Sequence, residues 1–242
     1  MVIYGINSVA EALLAGRIRE IRIAGRRDDR LRALLEDAKQ RGVRVRHVTR
    51  EALDADAHGA NHQGVVAEVT PMPPASLADL AQSKATGPPP LIVVLDSVED
   101  PQNVGAIIRT VDAAGASGVV RQTRHAAPLT GAAAKASAGA VHHVPVADVV
   151  NIARALEELK ELGVWTVGLD ADAENPYYGL DLTVPTALVV GAEGHGLRRL
   201  VRERCDLVAA IPMAGHVSSL NVSAATAVVL FEAVRQRSRR RS

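Results

Sequence analysis

The chain is poor in cysteine and in aromatic residues. One cysteine, Cys205, stands in 242 residues. That excludes an intramolecular disulfide and any zinc site built from several cysteines. Aromatic side chains make up 2% of the chain against 48% hydrophobic residues, so the core has to be aliphatic. Strong net charge is also missing. The formal value is +1, so a polyanionic partner can be announced only by local clustering. No apolar run approaches the roughly 20 residues that span a bilayer. The opening MVIYGINSVAEALLAG has neither a basic start nor a long apolar stretch, so it does not read as a signal peptide. A cytoplasmic protein without a membrane partner is expected.

Proline is concentrated in one place. Residues 71–90 hold six of the twelve prolines and divide the chain in two. Proline fixes φ and removes a donor, which suits a linker, although SLADLAQ within it has helical character. Residues 1–70 alternate short helical and strand patterns. Ser8 with Glu11 has the spacing of a capping box, IREIRIAG and VRVRHV alternate as half-buried strands, Thr49 opens a short helix, and QGVVAEV closes as a strand. This is a small α/β domain. After the linker LIVVLD is a continuous apolar strand of the kind buried on both faces of a parallel sheet. PQNVGAIIRTVDAAG is a helix with Pro101 at its start and Gly115 at its end. GVV, HHVPV, GVWTVGLD, TALVVG and LVAAIP read as further strands, with helices near 148–162 and 221–238. An α/β fold with an open, mostly parallel sheet follows for residues 91–242.

Open α/β sheets bind ligands beyond the carboxyl ends of their strands. Three such ends stand out: DSVEDPQNVGAIIR, GAEGHGL and IPMAGHVSSLN. Glycines in GAEGHG let backbone approach a ligand, although a tight strand-to-helix turn needs them equally. Glu193 has no turn-forming advantage there. Ser218, Ser219 or Asn221 is suited to cap the following helix, which explains one of the three and not the cluster. Arg109 sits among Ile107, Ile108 and Val111, where an arginine buried in an apolar helix is ordinarily structural. His58 and His62 are spaced for one helix face, but Gly59 and Gly64 argue for a loop and against a metal site. His142 and His143 are expected to begin a strand.

Taken together, LDSVEDPQNVGAIIRTVDAAGASGVV, LVVGAEGHGL and IPMAGHVSSLNVSAATAVVLFEAV resemble, in order and spacing, the three motifs of the SpoU branch of the SPOUT RNA ribose 2′-O-methyltransferases. KASAGAVHHVPV between the first two is also similar to the family, and the resemblance covers about residues 91–237. YGINSVAEAL and NHQGVVAEV resemble the substrate-binding domain of members that methylate a guanosine ribose in 23S ribosomal RNA. The resemblance implies an L30e-like RNA-binding N-terminal domain (1–70), a catalytic domain (91–242) with a C-terminal trefoil knot, a homodimer, and S-adenosylmethionine as cofactor with no metal. It implies catalytic roles for Asn103, Arg109, Glu193, Ser219 and Asn221. It implies cofactor contacts at Gly191, Ile211, Met213 and Leu220.

A guanidinium with pKa above about 12 is a poor general base. Arg109 is therefore expected to bind the substrate phosphate and stabilise the developing alkoxide, with Glu193 and Asn103 orienting it. Local charge agrees with an RNA partner. From Arg17 to Arg50 there are 12 Lys or Arg against 5 Asp or Glu, with no aromatic residue for base stacking. Arg26, Arg27, Arg30, Arg44 and Arg46 are the candidate phosphate contacts. RSRRRS at residues 237–242 adds either non-specific attraction or a disordered tail. Two rivals stay open: a transfer-RNA methyltransferase of the same superfamily, and an RNA-binding homologue without catalysis.

Overall fold

The computed structural model of the chain describes residues 2–25, 28–82, 87–124, 126, 128–192 and 194–239. Two compact units are present, Met1–Pro73 with Pro128–His143, and Pro74–Ala127 with Val144–Ser242.

The first unit contains β1 (Val2–Tyr4), α1 (Ile6–Leu14), β2 (Ile18–Ile23), α2 (Asp29–Gln40), β3 (Arg44–His47), α3 (Arg50–Asp56) and β4 (Val65–Val69). Its sheet runs β1-β4-β2-β3, with β4 antiparallel to β1 and β2 and β3 parallel to β2. Period-two alternation decides the faces. Ile21, Ile23, Val65, Ala67 and Val69 bury against Val9 and Leu13 of α1 and Leu31 and Leu34 of α2. Val66, pointing the other way, packs with Leu53 and Ala57. Asp28 caps α2 by accepting from Leu31 N, and Thr49 caps α3 by accepting from Ala52 N. The Ser8–Glu11 capping box does not form. Helix α1 begins at Ile6 after Gly5 (φ 89°), and Ser8 is buried within it. Gln63, from the loop before β4, supplies the missing acceptor, taking a 3.0 Å hydrogen bond from Ile6 N.

The second unit opens with α4 (Leu77–Ala81), inside the proline-rich stretch. Ser76 and Asp79 form its capping box, and Leu77 and Leu80 enter the aliphatic core. Then come β5 (Leu91–Asp96), α5 (Pro101–Ala113) and β6 (Gly118–Gln122). The chain next contributes Pro128–His143 to the first unit, through α6 (Ala132–Ala136) and a 3-10 turn at Ala140–His142. There Arg17 Nε donates to His142 O, and a Cβ on Gly139 would lie 2.2 Å from Glu11 Cβ, so the backbones are in close approach. The strand expected from His142 therefore starts later. Left-handed Ala138 (φ 50°) and Gly139 (φ 93°) turn the chain, and β7 begins at Val146.

The second unit continues with β7 (Val146–Val149), α7 (Ile152–Glu161), β8 (Trp165–Leu169), β9 (Asn175–Pro176), β10 (Thr186–Gly191), α8 (Arg199–Arg204), β11 (Leu207–Ala210) and α9 (Val222–Arg239). Its seven strands run β7-β6-β5-β10-β8-β11-β9, every pairing parallel. All six residues of β5 are buried, as a strand covered on both faces requires. Helix α9 is fixed to the amino edge of this sheet by Arg237, whose guanidinium donates to the carbonyls of Leu182, Val184, Pro89 and Pro90. That places Arg237, the first residue of the basic C-terminal run, in structural service. Burial lowers its pKa.

Candidate active site

The carboxyl ends of β8, β10 and β11 and the segment leading into α9 surround a cavity of about 450 Å³. Gly191, Ile211, Met213, Ser219 and Leu220 all line it, beside Val190, Ala209 and Val222. At Gly191 the glycine is obligatory. A Cβ there would lie 2.1 Å from Gly196 C and O and 2.5 Å from Leu197 N. The loop after β10 thus folds back onto its own strand, and Ala192 and Gly196 pair in a bridge. A cavity of this volume, lined by both apolar and polar residues, suits a nucleoside-sized cofactor. A neighbouring cavity of about 690 Å³ shares Ala192, His195, Gly196 and Val222 with the first. Ser97, Asp100, Asn103 and Arg198 also line it.

Asn103 and Asn221 meet. Asn103 lies buried in the first turn of α5, where Asp100 caps by accepting from Gln102 N and Asn103 N. Asn221 caps α9, its Oδ1 accepting from Ser223 N at 2.9 Å and Ala224 N at 3.4 Å. Its Nδ2 then donates to Asn103 Oδ1 at 2.9 Å. Ser218 and Ser219 are exposed and leave the capping to Asn221. Arg109 departs from the expectation of a buried arginine. Ile107, Ile108 and Val111 are buried, but the helical turn carries Arg109 to the exposed face, where it has no hydrogen bond or ion pair among the described residues. It lines neither cavity. Glu193 lies outside the described residues.

Sequence reading missed the group that holds the β10 loop. Asp96, fully buried at the end of β5, accepts from Arg198 N at 2.8 Å and Arg198 Nε at 2.7 Å. Arg198 also reaches Gln122 Oε1 at 2.9 Å. Removing the arginine side chain would leave the buried carboxylate with the main-chain donor but without its balancing charge. A charged residue closing a wholly apolar strand was the available signal. The cavity wall at Leu169–Asp172 was also missed. Cys205 is half-buried, its thiol pushed up to about 12 by burial, which makes it unreactive.

In the first unit Arg30, Arg44 and Arg46 are exposed. Arg46 is 3.6 Å from Glu20, whereas Arg30 and Arg44 have no partner among the described residues. Arg26 and Arg27 lie outside the described residues. Several neighbouring arginines are committed internally: Arg22 to Asp56, Arg32 to Asp29 and Arg41 to Asp37. His62 is buried in a loop, its Nε2 3.0 Å from Asp54 Oδ1 and its Nδ1 accepting from Gly64 N. Among the described residues no group of three or more His, Cys, Asp or Glu is arranged to hold a metal ion, and no helix is long and apolar enough to cross a membrane.

Comparison with known proteins gives this arrangement a family. Residues 90–231 match the model of the SpoU rRNA Methylase family, and residues 2–75 match that for RNA 2′-O ribose methyltransferase substrate binding. The chain is 46% identical over 239 residues to the 23S rRNA (guanosine-2′-O-)-methyltransferase RlmB of Photobacterium profundum, covering 98% of each. It is 46% identical over 205 residues to the putative TrmH family tRNA/rRNA methyltransferase YacO of Bacillus subtilis, covering 84% of this chain and 82% of that protein. The crystal structure of the SpoU methyltransferase AviRb from Streptomyces viridochromogenes in complex with AdoMet superimposes with a TM-score of 0.80 at 27% identity, covering 99% of this chain and 91% of that one. With both halves of its sequence matched and its fold superimposing on a SpoU methyltransferase, the chain belongs to the SpoU rRNA methylase family.

Proposed function

We propose that this protein transfers a methyl group from S-adenosylmethionine to the ribose 2′-hydroxyl of a guanosine in 23S ribosomal RNA. One observation carries the reading. The residues that the family resemblance assigns to the cofactor, Gly191, Ile211, Met213 and Leu220, converge on a single cavity, and Asn103 and Asn221 meet beside it. The near full-length likeness to a 23S rRNA guanosine methyltransferase supports the substrate.

When bound, the cofactor supplies an electrophilic methyl group, so the protein's tasks are to position the hydroxyl and to stabilise developing negative charge. Gly191 and its neighbours offer main chain at close range, and Ile211, Met213 and Leu220 exclude water from the reacting atoms. The cavity lined by Ser97, Asn103 and Arg198 borders the first across the β10 loop, which suits it to the target nucleotide. Arg109 binds the substrate phosphate and steadies the alkoxide, while the phosphate or water takes the proton. Its exposure and lack of internal partners fit a side chain reserved for RNA. Asn103 and Glu193 orient that arginine, the Asn221–Asn103 hydrogen bond ties the segment before α9 to α5, and Ser219 borders the donor. Placement of β10 between β5 and β8, with β11 beyond β8, supports the trefoil knot.

The first unit is the RNA-holding module, with Arg30, Arg44 and Arg46 among its phosphate contacts and Arg26 and Arg27 assigned the same role. The protein works in the cytoplasm as a homodimer packed through the knotted region. Exposed Val228 and Phe231 on α9, beside buried Val229 and Leu230, support that packing. The Bacillus relative's name, which includes tRNA, keeps transfer RNA as the second reading. Nucleoside mass spectrometry of ribosomal and transfer RNA from cells lacking this protein tests both. Loss of one 2′-O-methylguanosine from 23S rRNA is expected. Loss confined to transfer RNA would replace the substrate, and no loss from either would favour an inactive homologue.

A further inference from the structure

The wall of the proposed cofactor cavity carries a negative charge that no described residue matches. Among the described lining residues there is no Lys or Arg, and the formally charged side chains are Asp170 and Asp172, just beyond β8. Asp170 is fully engaged. Its Oδ2 accepts from Arg202 Nε at 2.9 Å, and its Oδ1 accepts from Asp172 N at 3.0 Å. The first contact balances its charge. The second holds the turn that presents the next carboxylate. Asp172 itself is exposed at the cavity and has no side-chain hydrogen bond or ion pair among the described residues.

A carboxylate without a partner among the described residues, on a concave wall whose described lining holds no Lys or Arg, suits a cationic ligand group. A sulfonium methyl donor carries two cations, the sulfonium and the α-ammonium of its amino-acid tail. They differ in what pairing would do to the reaction. The sulfonium charge disappears as the methyl leaves, so a carboxylate beside it would stabilise the ground state more than the transition state and oppose transfer. The α-ammonium keeps its charge throughout, and pairing with it adds affinity without raising the barrier. An exposed position also suits the hydrated tail better than the reacting centre.

We infer that Asp172 binds the α-ammonium group of the methyl donor, and that Asp170, acting through the turn, is its positioning residue. This rests on the methyltransferase reading above. Isothermal titration of the full chain and of its Asp172→Asn variant with three ligands tests it: S-adenosylmethionine, S-adenosylhomocysteine and 5′-methylthioadenosine. The second lacks the sulfonium charge, and the third lacks the whole amino-acid tail. The substitution should weaken the first two equally, by about three- to tenfold for a partly solvated charged pair, and leave the third unchanged. Asp172→Glu should restore most of the loss. Weakening of S-adenosylmethionine alone would place the carboxylate at the sulfur. Equal weakening of all three would mean a contact to the adenosine or a disturbed loop. No weakening would mean no contact. Each of these overturns the assignment. Failure of the unaltered chain to bind S-adenosylmethionine would sink the methyltransferase reading and take this inference with it.

Discussion

Asn221 and Asn103, 118 residues apart, are joined by a 2.9 Å hydrogen bond from Nδ2 to Oδ1 where α9 packs on α5. The direction of that bond follows from the helix cap. Asn221 Oδ1 accepts from the main chain of Ser223 and Ala224, so its amide can present only the nitrogen to Asn103. One side chain thus starts α9, ends the loop that lines the 450 Å³ cavity, and ties that loop to the helix carrying Arg109.

Replacing either asparagine should therefore cost more in activity than in stability. Asn221→Ala removes a cap, about 1 kcal/mol. In a double-mutant cycle with Asn103→Ala, urea denaturation should give a coupling of about 0.5–1.5 kcal/mol, with methyl transfer down at least about tenfold in each single variant. Strictly additive stabilities, with activity untouched, would show that the bond orients nothing.

Arg109→Ala should behave in the opposite way. The side chain is exposed and unpaired among the described residues, so stability should stay within about 0.5 kcal/mol. S-adenosylmethionine affinity should hold within a few-fold, because Arg109 lines neither cavity. Turnover on RNA should fall by about 10²–10³, the scale of a lost alkoxide-stabilising donor. Near-normal turnover would remove Arg109 from the reaction.

Arg109 also marks where sequence reading stops. The apolar neighbours that suggested burial do bury, but one helical residue is 100° from the next, and the arginine falls on the outer face. The buried runs LIVVLD and TALVVG, the cap at Thr49 and the helix start at Pro101 are local properties, and all were legible. Ser8 was misplaced because Gln63, 57 residues away, supplies the acceptor that starts α1. Asp96 with Arg198 is a pairing over 102 residues and has no local period to betray it. HHVPV reads as a strand beginning at His142, whereas the left-handed turn at Ala138 and Gly139 decides the path. The cavity residues were legible through the family motifs, and Asp170 and Asp172 lie outside them.

His142 should make the protein acid-sensitive in a defined window. Burial, with His143 and Arg17 nearby, holds its pKa down at about 4 against 6.5 for the free side chain. Below pH 6.5 the unfolded chain takes up a proton that the folded chain refuses until about pH 4. Stability is therefore lost as pH falls across that interval, and below it this group adds no further loss. Urea midpoints of the unaltered chain should drop more steeply between these limits than those of His142→Leu. Parallel curves would deny the buried histidine its effect.

The path of the chain predicts an unequal division. Residues 128–143 lie within the catalytic half of the sequence yet pack in the first unit. A fragment beginning at Pro74, which keeps α4 and its core leucines, should bind S-adenosylmethionine but leave that segment without its packing surface. Trypsin should cut it after Lys135 faster than it cuts the full chain. The fragment should methylate RNA poorly. In the full chain, neutralising Arg30, Arg44 and Arg46 together should flatten the salt dependence of RNA binding by about 0.7–0.9 per lost phosphate contact. Equal RNA activity and equal salt slopes for fragment and full chain would deny the first unit its RNA-holding role.

The most direct measurement is methyl transfer in a purified system. Unmodified 23S ribosomal RNA and transfer RNA are each incubated with the full chain and radiolabelled S-adenosylmethionine, and the labelled nucleoside is identified by digestion and mass spectrometry. The account predicts label in 2′-O-methylguanosine at one position of the 23S RNA and none in transfer RNA, with the Arg109→Ala protein inactive on both. Label on a base, on transfer RNA alone, or undiminished by Arg109→Ala would contradict it.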